Sequence, residues 1–121
     1  MPDKRDIKRY KKLYTIRFGI YTPQRLAFTD DISANGLFIR TTSITPTGTH
    51  ILIDLNLPNY EKVSFQGIVR WSRKVPPQMI NMVNKGGMGV EIKRFMAGEE
   101  LYLDLIASLN SRASTFQASL F

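Results

Sequence analysis

From Leu13 onward, hydrophobic and polar positions alternate in short runs, which predicts half-buried β-strands. The first is Tyr14-Thr-Ile-Arg-Phe18, ending at Gly19, and a turn at Thr22-Pro23-Gln24 leads to a second at Arg25–Thr29. A polar connection, Asp30 to Gly36, precedes a third strand at Gly36–Thr41, which Thr45-Pro-Thr-Gly48 closes. His50–Leu55 makes a fourth, closed by Pro58-Asn59. Lys62–Trp71 is a long fifth with Gly67 in its middle, where a bulge or sharp bend fits. Pro76 and Pro77 open a loop running to Gly87, and Met88–Lys93 is a sixth strand. Six short strands at regular spacing predict an all-β fold closed as an antiparallel barrel, because closure removes exposed edges.

After Met96-Ala-Gly98 the period changes: Leu101, Leu105, Ile106 and Leu109 fall at helical spacing, with Glu99 and Glu100 in the first turn, where the helix dipole favours negative charge. A C-terminal helix packed across a barrel opening follows. The chain thus divides into a basic arm at 1–12, a barrel at 13–95 and a helix with its tail at 96–121. At 121 residues this is one domain with room for a real core.

Charge changes the picture at one end only. The formal net charge is +7, and Lys4, Arg5, Lys8, Arg9, Lys11 and Lys12 crowd the start of the chain against Asp3 and Asp6. A flexible electropositive arm of this kind suits an anionic partner, a nucleotide, a nucleic acid or an acidic membrane surface, and it equally suits a solubilising tail. The absence of cysteine excludes disulfides and thiolate chemistry and fits a cytoplasmic location. No run approaches the roughly 20 apolar residues of a membrane span.

Catalytic signatures are scarce, so an enzyme is not expected. His50 is the only histidine and has no acid or nucleophile partner in the pattern. Clustered metal ligands are lacking. Asp30 and Asp31 are adjacent, and neighbours in a strand face opposite ways unless the backbone turns. Gly86-Gly87 precedes a strand, not a helix, so it is no phosphate loop.

Binding chemistry is better represented. Arg5 and Arg9, four apart, each offer a planar fork of donors for phosphate or for the O6/N7 edge of guanine. Lys8 and Lys12 repeat that spacing, but lysine lacks the fork, so Arg5 and Arg9 are preferred and Lys4 and Lys8 are supporting charges. Asp31 can accept from the N1–H and N2–H donors of guanine, Ser33 adds a hydroxyl, and Gly36 allows close backbone approach or positive φ. Taken alone, Asp31, Ser33 and Gly36 also fit a polar turn bonded to its own backbone.

Arg5-Asp-Ile-Lys-Arg9 followed, after a strand pair, by Asp31-Ile-Ser33-Ala-Asn35-Gly36 resembles the RxxxR and [D/N]xSxxG signature of the PilZ family. The strand Gly67-Ile-Val-Arg-Trp71, the strand Gly89-Val-Glu-Ile and the closing helix extend the resemblance over nearly the whole chain. It implies a split six-stranded barrel and a bacterial receptor for cyclic di-GMP, with no other cofactor and no catalysis. It further implies that Arg5 and Arg9 grip phosphate and guanine, that Asp31 and Ser33 read the guanine edge, and that Gly36 shapes the turn. Asn35 lies within the same motif, and Trp71 is similar to an aromatic beside the ligand in some members, or else a barrel-wall residue. The ligand signal would pass to an effector protein that the sequence does not identify, in motility or biofilm regulation. Two alternatives stand beside this: an adaptor working through protein contacts without nucleotide, and, less favoured, a general single-stranded nucleic-acid binder.

Overall fold

The alternation in the sequence becomes the in–out pattern of a closed barrel wall. The computed structural model describes residues 7–75 and 86–119, with 112–119 by backbone alone. The strands are β1 (Arg9–Lys11), β2 (Thr15–Gly19), β3 (Arg25–Ser33), β4 (Gly36–Arg40), β5 (His50–Asn56), β6 (Lys62–Arg73) and β7 (Gly87–Ala97), followed by helix α1 (Glu99–Ser119). Every pairing is antiparallel, and the ring runs β3-β2-β5-β6-β7-β4 and back to β3. Six strands therefore close the barrel, and β1 lies on β3 beside the ring.

Side chains from alternate positions fill the interior: Ile16 and Phe18 from β2, Ile51, Ile53 and Leu55 from β5, Val63, Phe65 and Val69 from β6, all at most 1% exposed. Burying each contributes on the order of 1.5–3 kcal/mol relative to exposure, so this core dominates stability. The β6–β7 ribbon is the longest and its register shifts at Ser64/Phe65, Gln66/Gly67 and Val69/Trp71. These bulges coil the ribbon around the barrel. At Gly67 the two strands press close, for a Cβ there would sit 2.5 Å from Val90 Cγ1.

Helix α1 carries Glu99 and Glu100 in its first turn, as its charge pattern predicts. Leu109 is buried and Leu101, Leu105 and Ile106 pack partly buried against the core. Among the described side chains of the helix, the most buried is one the aliphatic periodicity passes over: Tyr102, fully buried against Phe95 and Phe65 at ring-centroid distances of 5.6 and 6.4 Å. Tyr10 of β1 also donates to Asn110 Oδ1 at 3.0 Å, tying the helix to the first strand.

Two segments differ from the sequence-based expectation. Arg9–Lys11, placed in a flexible arm by charge density, forms β1 because Tyr10 packs on the core and its neighbours pair with β3. Asp30–Ser33, placed in a connection, belongs to β3, so the turn itself is only Ala34-Asn35. The proline loop opened by Pro76 and Pro77 lies largely outside the described residues.

Candidate ligand-binding site

The site is built on the outer wall of the barrel by two bulges. On β3 the pairing with β4 passes from Thr29↔Ile39 to Asp31↔Phe38, leaving Asp30 as the extra residue. Ala27 and Thr29 face inward before the bulge and Ile32 after it, so Asp30 and Asp31 both turn outward although they are consecutive. Asp30 accepts from Arg40 Nη2 at 2.5 Å and Nε at 3.1 Å, and from Lys11 Nζ at 3.3 Å. The Arg40 guanidinium, aided by Lys11 and opposed by partial burial, lowers the Asp30 pKa from its ordinary value. Asp31 instead accepts from Arg9: Nε at 2.8 Å and Nη2 at 2.5 Å both meet Oδ1. Arg9 therefore keeps its Nη1 edge, and Asp31 its Oδ2, for a ligand.

Cross-strand register explains that contact. Arg9 pairs with Ser33 and Lys11 with Asp31, which places all four on the same face. Ser33 is fully buried there, its hydroxyl 2.9 Å from Asn35 Oδ1 and 3.1 Å from the Gly36 carbonyl. Its own carbonyl accepts from the Tyr102 hydroxyl at 2.5 Å. Burial pushes the Tyr102 phenol far above its ordinary pKa, so it remains a donor. The Asn35 carbonyl accepts from Ile92 N–H at 2.8 Å, anchoring the turn to β7. Gly36 is required for close approach and not for positive φ, since a Cβ would meet the Val90 carbonyl oxygen at 2.4 Å.

On the far side, Val69↔Val90 is followed by Trp71↔Gly89, with Arg70 as the extra residue. Trp71 thereby turns outward and lies across Gly89, where any Cβ would fall 2.1 Å from its Nε1. The indole stacks on Phe38 at 5.1 Å and 26°, and Arg73 Cζ lies 5.7 Å from the indole ring. A single row of paired positions, Asp31–Phe38–Gly89–Trp71, thus crosses β3, β4, β7 and β6. Beside it opens a cleft of about 240 Å³ lined by Ile7, Arg9, Asn35, Gly36, Arg70, Trp71, Gly89, Val90 and Glu91.

The family model for the PilZ domain matches residues 3–104 of this chain. The chain belongs to the PilZ family. Its fold is similar to that of the Bacillus subtilis inhibitor of motility (MotI/DgrA), with a TM-score of 0.71 and 15% identity over 92% of this chain. This PilZ chain spans about half, 53%, of that protein's length. No curated protein matches the sequence. PilZ domains are non-enzymatic receptor and adaptor domains, and among the described residues no helix is long and apolar enough to cross a membrane.

Of the residues singled out in the PilZ motifs, the fold brings Arg9, Asn35, Gly36 and Trp71 to one cleft, with Asp31 bonded to Arg9 and Ser33 buried beneath the turn. Lys8 is exposed and does not line the cleft. Lys4 and Arg5 lie outside the described residues. His50 begins β5, exposed. Sequence reasoning missed Tyr102, whose aromatic ring continues the apolar face of Ile106 and Leu109, and Arg70 and Glu91, which read as ordinary strand charges.

Proposed function

We propose that this PilZ domain is a receptor for cyclic di-GMP whose occupied form is read by a partner protein. One observation carries the reading: Arg9, the Asn35-Gly36 pair and Trp71, from three separate places in the sequence, line one cleft, and Arg9 is held there by Asp31. The free edges match the ligand's chemistry. Arg9 Nη1 can donate to phosphate or to guanine O6 and N7, Asp31 Oδ2 can accept from the guanine N1–H and N2–H, and Asn35 keeps its amide donors. The Trp71 ring, 44% exposed, offers a stacking surface. Ligand pockets usually run about 300–1,000 Å³. The smaller cleft takes part of a dinucleotide, and the rest extends along the outer wall.

Calorimetric titration with cyclic di-GMP, with GTP and cyclic di-AMP as controls, tests this. Arg9→Ala and Asp31→Ala should abolish the heat while the fold persists. Absence of heat from the parent protein at tens of micromolar ligand would end the receptor reading.

A second reading, an adaptor acting through protein contacts without nucleotide, draws on the fold likeness to a protein described as an inhibitor of motility. A partner recovered equally with and without cyclic di-GMP would favour it.

A further inference from the structure

We propose that Arg70 is a second anion-gripping arginine of the cleft, oriented by Glu91, so that the site takes a ligand bearing two separated anionic groups. The proposal rests on reading the cleft as the ligand site.

Arg70 reaches the outer wall by the same device as Asp31. The bulge between Val69 and Trp71 turns two consecutive side chains outward, Arg70 and Trp71, as the bulge on β3 does for Asp30 and Asp31. Arg9 enters the cleft from β1 and Arg70 from β6, with β3, β4 and β7 between them in the sheet.

The two guanidiniums are held alike. Arg70 Nε donates to Glu91 Oε1 at 2.7 Å, and its Nη2 lies 2.7 Å from the same oxygen. Arg9 sets the same edge, Nε and Nη2, on Asp31 Oδ1. Each arginine therefore points its Nη1 edge away from its carboxylate. Their side chains are similarly accessible, 48% for Arg70 and 45% for Arg9. Ion pairs this exposed contribute little to stability, so the geometry is better explained by orientation than by folding. Glu91 pairs with Gly36 across β4 and β7, which ties the orientation of Arg70 to the turn carrying Asn35. Lys93 Nζ, 4.0 Å from Glu91 Oε1, offsets the carboxylate's charge beside the cleft.

A planar fork at each side of a cleft suits two phosphates, or one phosphate and a purine edge, better than a single anion at one point. Trp71 follows Arg70 at the same bulge and both line the cleft, so a stacking surface and an anion fork stand side by side.

The test uses Arg70→Ala, Arg70→Lys and Glu91→Gln in the full chain, with two probes, cyclic di-GMP and inorganic pyrophosphate. Readouts are the fluorescence of Trp71, the chain's only tryptophan, and the NMR resonances of the arginine Nε–H groups. Arg70→Ala should weaken cyclic di-GMP binding about tenfold or more, as loss of charge-assisted hydrogen bonds implies. Arg70→Lys should restore only part of it, and Glu91→Gln should weaken it severalfold with an unchanged melting temperature. If Arg70→Ala binds within about twofold of the parent, Arg70 is a bystander and the receptor reading stands without it. If the parent ignores cyclic di-GMP but pyrophosphate shifts the Arg9 and Arg70 resonances, the cleft assignment stands and the choice of ligand falls. If neither probe moves the Arg70 resonance, the proposal is overturned.

Discussion

Tyr102, in the first turn of α1, donates its phenol hydrogen to the carbonyl oxygen of Ser33 at 2.5 Å, joining residues 69 apart in the chain. Both are fully buried, so no water can replace the donor cheaply. The bond holds the end of β3 from inside the barrel while Arg9 and Asp31 meet on its outside. Tyr102→Phe keeps the ring and removes only the donor. The expected cost is about 1–3 kcal/mol of stability, read as a lower urea midpoint at unchanged slope, together with weaker ligand binding. A variant with the parental midpoint and affinity would show that the helix does not support the turn.

Thr29 performs a similar service for β1. Strands β1 and β2 lie end to end along the same edge of β3, and the chain takes four steps from Lys11 to Thr15 where β3 takes three from Asp31 to Phe28. The buried Thr29 hydroxyl fills the mismatch. Tyr14 N–H donates to it at 2.8 Å, and it donates to the Lys12 carbonyl at 2.7 Å. Thr29→Val should cost about 1–3 kcal/mol and speed amide exchange at Tyr10 and Lys11, whereas Thr29→Ser should keep parental protection. Unchanged exchange in the valine variant would mean that β1 is held by its own pairing alone.

How much of this was legible depends on what each residue does to the alternation. The six strands of the barrel ring were readable, because in–out periodicity is a property of composition along a run. The β3 bulge left a trace, since inward positions shift from Ala27 and Thr29 to Ile32, a change of parity that only an extra residue produces. The β6 bulge left none. Val63, Phe65 and Val69 predict that Trp71 also faces the core, so its outward orientation depends on pairing with Gly89, which is not local information. The strand β1 was hidden by its own charge: Arg9 and Lys11 flank a single core-packing residue, Tyr10. The motif residues Arg9, Asp31 and Gly36 could be named from the sequence because the family signature contains them. That the Ser33 carbonyl is held by Tyr102 could not, because the partner comes from the helix.

Glycines at two points of the site should respond differently to alanine. At Gly89 the added Cβ would fall 2.1 Å from the Trp71 indole nitrogen, a side chain that can swing away. At Gly36 it would fall 2.4 Å from the Val90 carbonyl oxygen, which is backbone within the β4–β7 pairing. Gly89→Ala should therefore cost about 1–3 kcal/mol, unstack Trp71 from Phe38, red-shift the tryptophan emission and weaken binding of a stacked base. Gly36→Ala should cost more stability and leave the emission closer to that of the parent. Thermal melts with emission spectra of both variants check the order, and the reverse order would contradict the assigned contacts.

Asp30 predicts an acid limb in stability. Its folded-state pKa lies below the ordinary value of 3.8, chiefly through Arg40 and then through Lys11, while an unfolded chain titrates near that value. Just below pH 3.8 the unfolded state consequently binds more protons than the folded one, so the contribution is fully present above that pH and is lost as pH falls toward the depressed value. Protonation releases Arg40 and Lys11 on the wall beside Asp31, loosening the strand face that presents Arg9. Asp30→Asn should lower stability at neutral pH and flatten the decline in acid, so that the parent and variant curves converge as pH falls below 3.8. Chemical denaturation repeated across acid and neutral pH measures both curves. Parallel curves at every pH would place the ion pair outside the energetics of the fold, and Asp30 would then matter only for where it leaves Asp31.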